Sequence, residues 1–165
     1  MGAKDEKTAV KVDLLSGDSG FAEEVMSAPG GETLSLCYQC GTCTGCCPVS
    51  AVDEGFSPAQ IIQWIRLGLR QSVLASSKIW LCLRCHRCSF YCPQGVRFAD
   101  INATLRHLAL QEGYVSAVME PRLSALESHL NLLRCALIER ALDIPDEATM
   151  DMDALIRDVS RDLHG

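Results

Sequence analysis

Ten cysteines stand in this chain, and nine of them fall between Cys37 and Cys92. They form two blocks. The first reads Cys37-Tyr38-Gln39-Cys40-Gly41-Thr42-Cys43-Thr44-Gly45-Cys46-Cys47-Pro48, and the second Cys82-Leu83-Arg84-Cys85-His86-Arg87-Cys88-Ser89-Phe90-Tyr91-Cys92-Pro93. With Cys46 set aside, both follow C-x2-C-x2-C-x3-C-P. Three thiolates spaced by two residues each can curl around three irons of one cubane. The fourth, held before proline, turns away to a second cluster. The spacing thus assigns Cys37, Cys40, Cys43 and Cys92 to one [4Fe–4S] cluster, and Cys82, Cys85, Cys88 and Cys47 to another. Each cluster would tie the two blocks together, so the chain between residues 37 and 92 is expected to unfold largely without its metal.

Two other chemistries use dense cysteines. Zinc sites employ C-x2-C pairs, but they give no reason for a third cysteine after two residues and a fourth before proline, twice over. A disulfide scaffold belongs to secreted chains, and the charged start Met1-Gly2-Ala3-Lys4-Asp5-Glu6-Lys7 has no apolar stretch of signal type behind it. The expectation is a cytoplasmic protein. Cys46 neighbours Cys47 and could exchange with it, although the x3-then-proline register favours Cys47. Its other role is a small side chain packed beside the cluster. Cys135 lies far from both blocks and reads as a structural thiol.

Residues between the ligands carry weaker signals. Gly41, Gly45 and Gly95 would let the backbone turn its amides towards cluster sulfurs. Arg84, His86, Arg87 and Arg97 surround the second block. They are either solvated surface groups or a positive set that favours the reduced cluster and docks an acidic partner. Tyr38, Trp80, Phe90 and Tyr91 are expected to shield the clusters from water. No catalytic residue is expected: there is no glycine-rich nucleotide loop, phosphate loop or nucleophile–base motif. A cubane with four thiolates is coordinatively closed and relays electrons only.

The elements that must position the blocks are helical. Phe21 to Met26 predicts a turn or two. Ser57 and Pro58 open a helix in which Ile61, Ile62, Ile65 and Leu69 recur at helical spacing and which Gly68 weakens at its end. A helix over 100–112 carries Ile101, Leu105 and Leu108, and Gly113 stops it. Pro121 opens a longer one to about Leu142, with Leu123, Leu126, Leu130, Leu133 and Leu137 as one stripe. A last helix over 151–163 carries Met152, Leu155, Ile156, Val159 and Leu163. No strand pattern of comparable strength exists. The fold class is mainly α, with two cysteine-rich loops between helices and an internal repeat. The expected organisation is a loose arm over 1–20, a two-cluster domain over 21–115 and a helical extension over 116–165.

Composition agrees. Apolar residues make up 48% of the 165, aromatics only 5%, so the core must be mainly aliphatic. The formal charge of −6 disfavours nucleic acid as partner. No uninterrupted apolar run approaches the ~18 residues of a membrane span.

Leu36-Cys37-Tyr38-Gln39-Cys40-Gly41-Thr42-Cys43, Ile79-Trp80-Leu81-Cys82 and Tyr91-Cys92-Pro93-Gln94-Gly95-Val96, together with the Ser57-Pro58 helix and Leu67-Gly68-Leu69, resemble the C subunit of heterodisulfide reductase and its bacterial relatives. The resemblance covers roughly residues 21–115. It implies an α-helical ferredoxin fold with two cubanes. It further implies a relay between a flavin-carrying iron–sulfur protein, the A-type subunit, and a catalytic B-type subunit, which reduces a disulfide on its own clusters. In methanogens that disulfide joins coenzymes M and B. Cys46 and the basic run Arg84, His86, Arg87 depart from the pattern. The alternatives are a free-standing ferredoxin carrier and the iron–sulfur subunit of another anaerobic respiratory oxidoreductase. The latter carries a further plant-type ferredoxin domain whose cysteines are missing here.

Overall fold

A computed structural model describes residues 17–145 and 149–162. Residues 1–16 of the expected arm, and Leu163, lie outside the described residues. Eight α-helices and two 3₁₀ turns make up the regular structure among the described residues, with no strand. In order they are α1 (Phe21–Ser27), a 3₁₀ turn (Glu32–Leu36), α2 (Thr42–Gly45), α3 (Pro58–Arg66), α4 (Arg70–Leu74), a second 3₁₀ turn (Ser77–Leu81), α5 (Arg87–Tyr91), α6 (Phe98–Gln111), α7 (Met119–Leu142) and α8 (Met152–Asp162). The chain divides into two compact units, Met1–Val115 and Ser116–Gly165.

The internal repeat is visible in the first unit. Each half runs 3₁₀ turn, cysteine loop, short helix, then a longer helix. Cys37 ends the first 3₁₀ turn and Cys82 the second, both with extended backbone. The two longer helices, α3 and α6, close in the same way. Gly68 and Gly113 take positive φ of 71° and 73°. The next amides, of Leu69 and Tyr114, then reach back to the carbonyls of Trp64 and Ala109 at 2.9 Å. This is the Schellman closure, which only glycine adopts without strain. Gly68 is doubly constrained, because a Cβ there would meet the Asp18 carbonyl oxygen at 2.4 Å.

Ser57 starts α3 as its pattern predicts, accepting from the Gln60 amide at 3.2 Å. α6 begins at Phe98, two residues before the expected start, because Phe98 and Ala99 are already core residues. Ile61, Ile62 and Ile65 of α3 and Ile101, Leu105 and Leu108 of α6 face that core, with Phe21, Val25, Leu34, Val73, Leu74 and Ile79. It is aliphatic as composition suggests, but Phe21, Phe56 and Phe98 are also fully buried in it. The end of the expected loose arm is tied down. Asp18 donates its amide to the Gly68 carbonyl at 2.8 Å, and its carboxylate pairs with Arg70 at 3.2 Å. Arg70 also binds Glu24 and Glu112 and lies over the Phe21 ring, 5.1 Å from its centroid.

In the second unit, α7 starts at Met119, so Pro121 sits within the first turn, where its missing N–H costs no helical bond. The leucine stripe of α7 is only partly covered: Leu126 and Leu130 stay exposed, and no residue of α7 is fully buried. Leu155 and Val159 of α8 are buried, while Met152 and Ile156 remain exposed. Arg140 pairs with Asp162 at 2.6 Å. Among the described residues no helix is long and apolar enough to cross a membrane.

Truncating Ile65, 0% exposed, to alanine should cost about 2–5 kcal/mol. Leu132→Ala on the outer face of α7, where the side chain is 60% exposed, should stay within about 0.5 kcal/mol of wild type. Anaerobic urea unfolding of both variants measures the contrast.

Candidate iron–sulfur centres

The two cysteine loops share an unusual backbone. The residue before the second cysteine of each block, Gln39 or Arg84, has a positive φ of 64° or 51°. So does the residue after that cysteine, Gly41 at 80° or His86 at 58°. Left-handed residues at these matched positions bend each loop so that successive thiols face one centre. Glycine reaches that region freely; Gln39, Arg84 and His86 reach it under strain. Gly41 and His86 then stand at the N-terminal ends of α2 and α5, which carry Cys43 and Cys88.

Two voids result. The first, about 380 Å³ and open to solvent on one side, is lined by Cys37, Cys40, Cys43 and Cys92. The second, about 310 Å³, is lined by Cys47, Cys82, Cys85 and Cys88. Each void therefore draws three thiols from one block and one from the other. Cys46 lines neither; its thiol points back to the Cys43 carbonyl at 3.6 Å. Cys135 is exposed on α7 in the other unit. α3 supplies Ala59 and Ile62 to the first void and Pro58 to the second, and α6 supplies Ala99 to the second. Phe98, 1% exposed, lines both voids and packs edge-on against Phe56 at 6.5 Å.

The thiols feel these surroundings. Burial pushes the Cys43 thiol up to about 11, reinforced by Cys37. Burial likewise pushes Cys88 up to about 11, with Cys82 next in weight. Burial also raises Cys82, against the opposing pull of the Arg84 amide and the Arg106 charge. Cys40 is lowered, chiefly by the Thr42 hydroxyl 3.3 Å from its sulfur. The buried Cys43 and Cys88 thiols, reluctant to ionise, hold their protons until a cation displaces them. Backbone amides already face two sulfurs: Arg84 N–H lies 3.5 Å from the Cys82 sulfur and Val96 N–H 3.3 Å from that of Cys92. The Ser89 hydroxyl is buried after Cys88 without a hydrogen-bond partner among the described residues.

These features fit an iron–sulfur group. Four soft thiols ring each void, amide donors face the sulfurs, and the walls are apolar. Among the described residues no three Cys, His, Asp or Glu side chains are grouped to hold a single ion. The thiols surround a space, not a point.

Comparison with known proteins agrees. Residues 31–96 match the 4Fe-4S dicluster domain family. This segment is a 4Fe-4S dicluster domain. It carries two [4Fe–4S] clusters and serves electron transfer. The chain is similar to the iron-sulfur C subunit of CoB–CoM heterodisulfide reductase from Methanopyrus kandleri, 36% identical over 104 residues, 63% of this chain and 54% of that protein. The C2 subunit of H(2)/formate:CoB-CoM heterodisulfide,ferredoxin reductase from Methanococcus maripaludis is 40% identical over 103 residues, 58% of this chain and 55% of that protein. The C subunit of H(2):CoB-CoM heterodisulfide,ferredoxin reductase from Methanothermobacter thermautotrophicus is 34% identical over 99 residues, 60% of this chain and 52% of that protein. The chain thus spans about half the length of the curated relatives it matches.

Other expected site residues of the dicluster domain divide. Tyr38, His86 and Arg87 line the voids. Phe90 and Tyr91 do not: they form an edge-on pair at 5.2 Å, 83% and 53% exposed, and shield neither void. Trp80 lines neither void and sits under the Arg106 guanidinium. Arg97 pairs with Glu32 at 3.1 Å and Asp100 at 3.6 Å instead of joining the second void. Gly45 lies inside α2, so its freedom of φ is unused. Sequence reading missed Arg66 and Arg106, which bind the carbonyls of Cys37 and Cys82 at 2.8 and 2.7 Å. A single arginine in a helix gives no periodic signal that could have found them.

A Cβ on Gly41 would meet no atom within 4 Å, so Gly41→Ala isolates the backbone strain and should cost about 1–2 kcal/mol. His86→Gly releases the same strain and should be tolerated better. Thermal melting of the cluster-loaded variants orders the two.

Proposed function

We propose that the dicluster domain relays single electrons within a heterodisulfide-reductase-like complex. A flavin-containing iron–sulfur protein like the A subunit stands on one side of the relay, and a disulfide-reducing catalytic protein like the B subunit on the other. One cluster takes Cys37, Cys40, Cys43 and Cys92, the other Cys82, Cys85, Cys88 and Cys47. The observation that carries this reading is the crossed sourcing of thiols around the two voids. The resemblance to C subunits points to the complex. The working site is the cytoplasm, in line with thiols that must stay reduced until iron arrives.

Bound in these voids, each cluster supplies a one-electron couple. The chain's own residues do the rest. Phe98, buried, forms a wall common to both voids. An apolar side chain shared by both voids favours transfer between the centres. Amides of Arg84 and Val96 orient the Cys82 and Cys92 sulfurs. Tyr38, Leu83, Phe90 and Tyr91, all more than half exposed beside the loops, offer apolar area of the kind an obligate partner covers. That favours membership of a complex over a free carrier, whose surface must stay soluble alone.

Anaerobically purified protein should hold about eight irons per chain. Cys47→Ala and Cys92→Ala should each lose or convert one cluster, read by iron count and EPR, whereas Cys46→Ala should keep both. Two intact cubanes in both of the first variants would sink the ligand assignment. Removing iron with a chelator should abolish much of the helical circular dichroism of residues 37–92, because each cluster joins both halves of the repeat. An unchanged spectrum would show that the protein core alone holds the loops.

A further inference from the structure

The residue after the third cysteine carries a hydroxyl in both halves of the repeat. Thr44 follows Cys43 in α2, and Ser89 follows Cys88 in α5. The two hydroxyls are used differently. Thr44 Oγ1 lies 2.9 Å from Ser57 Oγ and accepts from the Ala59 amide at 3.2 Å. Ser57 Oγ in turn accepts from the Gln60 amide. The first hydroxyl is thus engaged by the opening turn of α3. Ser89 Oγ is buried and has no hydrogen-bond partner among the described residues.

A serine in a helix ordinarily turns its hydroxyl to solvent or to a carbonyl of the preceding turn. Ser128 of α7 does the second, donating to the Ser124 carbonyl at 2.9 Å. In α5 the His86 carbonyl already accepts from the amides of Ser89 and Phe90, both at 3.0 Å. A hydroxyl buried unpaired gives up its hydration for nothing, so it marks a missing acceptor. The preceding residue offers one. Cys88 is itself buried and lines the second void. Burial and Cys82 raise its thiol, and the Ser89 hydroxyl is foremost among the influences that lower it. A thiol accepts hydrogen bonds weakly, whereas charge makes a thiolate a strong acceptor.

We infer that Ser89 Oγ–H is the hydrogen-bond donor to the Cys88 thiolate of the cluster ringed by Cys82, Cys85, Cys88 and Cys47. The inference rests on the reading of the second void as a cluster site. Reduction adds negative charge that spreads onto the sulfurs. A donor at one of them stabilises the reduced state and raises the potential. Ser89 lines no part of the void. It acts through Cys88, as a positioning residue. The same repeat position therefore fixes a helix in one half and tunes a centre in the other.

An EPR-monitored redox titration of the full chain tests this, with iron determined on the same sample. Ser89→Ala should lower the midpoint of one cluster and leave the other in place. Where the wild-type chain shows a single wave, the variant should split it. The cluster that moves should be the one that Cys47→Ala alters. Ser89→Thr, which keeps the hydroxyl, should return the midpoint towards wild type. Ser89→Val, of the same shape without it, should not. A merely structural hydroxyl predicts otherwise: removing an unpaired buried group would leave both midpoints alone. Unmoved midpoints in Ser89→Ala, equal movement of both clusters, movement of the cluster that Cys47→Ala leaves intact, or equal midpoints in the Thr and Val variants would overturn the inference. Should Ser89→Ala fail to hold iron, the Thr and Val pair decides by the same titration. Iron far below about eight per wild-type chain would instead overturn the two-cluster reading itself.

Discussion

Three thiols from one loop and one from the other surround each void. Neither ring can close until segments far apart in the chain have met, and closing one brings the second close to completion. The remainder of the first unit serves that meeting. α2 and α5 are single short helices that cannot persist alone; they lie where they do because α3 and α6 press them from behind through a shared aliphatic core. The Schellman closures at Gly68 and Gly113 turn the chain sharply after each long helix and return it to the same core. Arg70, gripping carboxylates from residues 18, 24 and 112, ties the start of the unit to its end.

Strain sits in the loops and stability in the helices. Gln39, Arg84 and His86 occupy a backbone region that residues with side chains enter at a cost. That cost is tolerable because the surrounding core is dense and because amides and arginines pin the loop ends. The helix that follows each loop also pins it, Arg66 of α3 at the Cys37 carbonyl and Arg106 of α6 at the Cys82 carbonyl, so the loop is held from outside as well as by its own backbone.

Cysteine is rare enough that its spacing alone carries information, and the four thiols that line each void are those the spacing groups together. Ser57 with Pro58, and Gly113 after an apolar run, were legible for a related reason: each residue type does one local job. Other features depend on distant partners. Arg97 stands five residues after Cys92, yet Glu32 and Asp100 claim it. Phe90 and Tyr91 look like shields in the sequence, but α5 turns them outward. Arg66 and Arg106 are one charge each among apolar neighbours, and only the fold reveals which carbonyls they meet. The stripe of α7 was correct as a periodicity, but periodicity does not say how much of it becomes covered.

Phe98 illustrates a different kind of dependence. One benzyl side chain forms part of both hollows, so any change of volume or polarity at that position alters both of them at once. Independent retuning of a single centre, whether by natural drift or in the laboratory, must therefore work from the outer walls, and position 98 should tolerate less variety than its burial alone would demand.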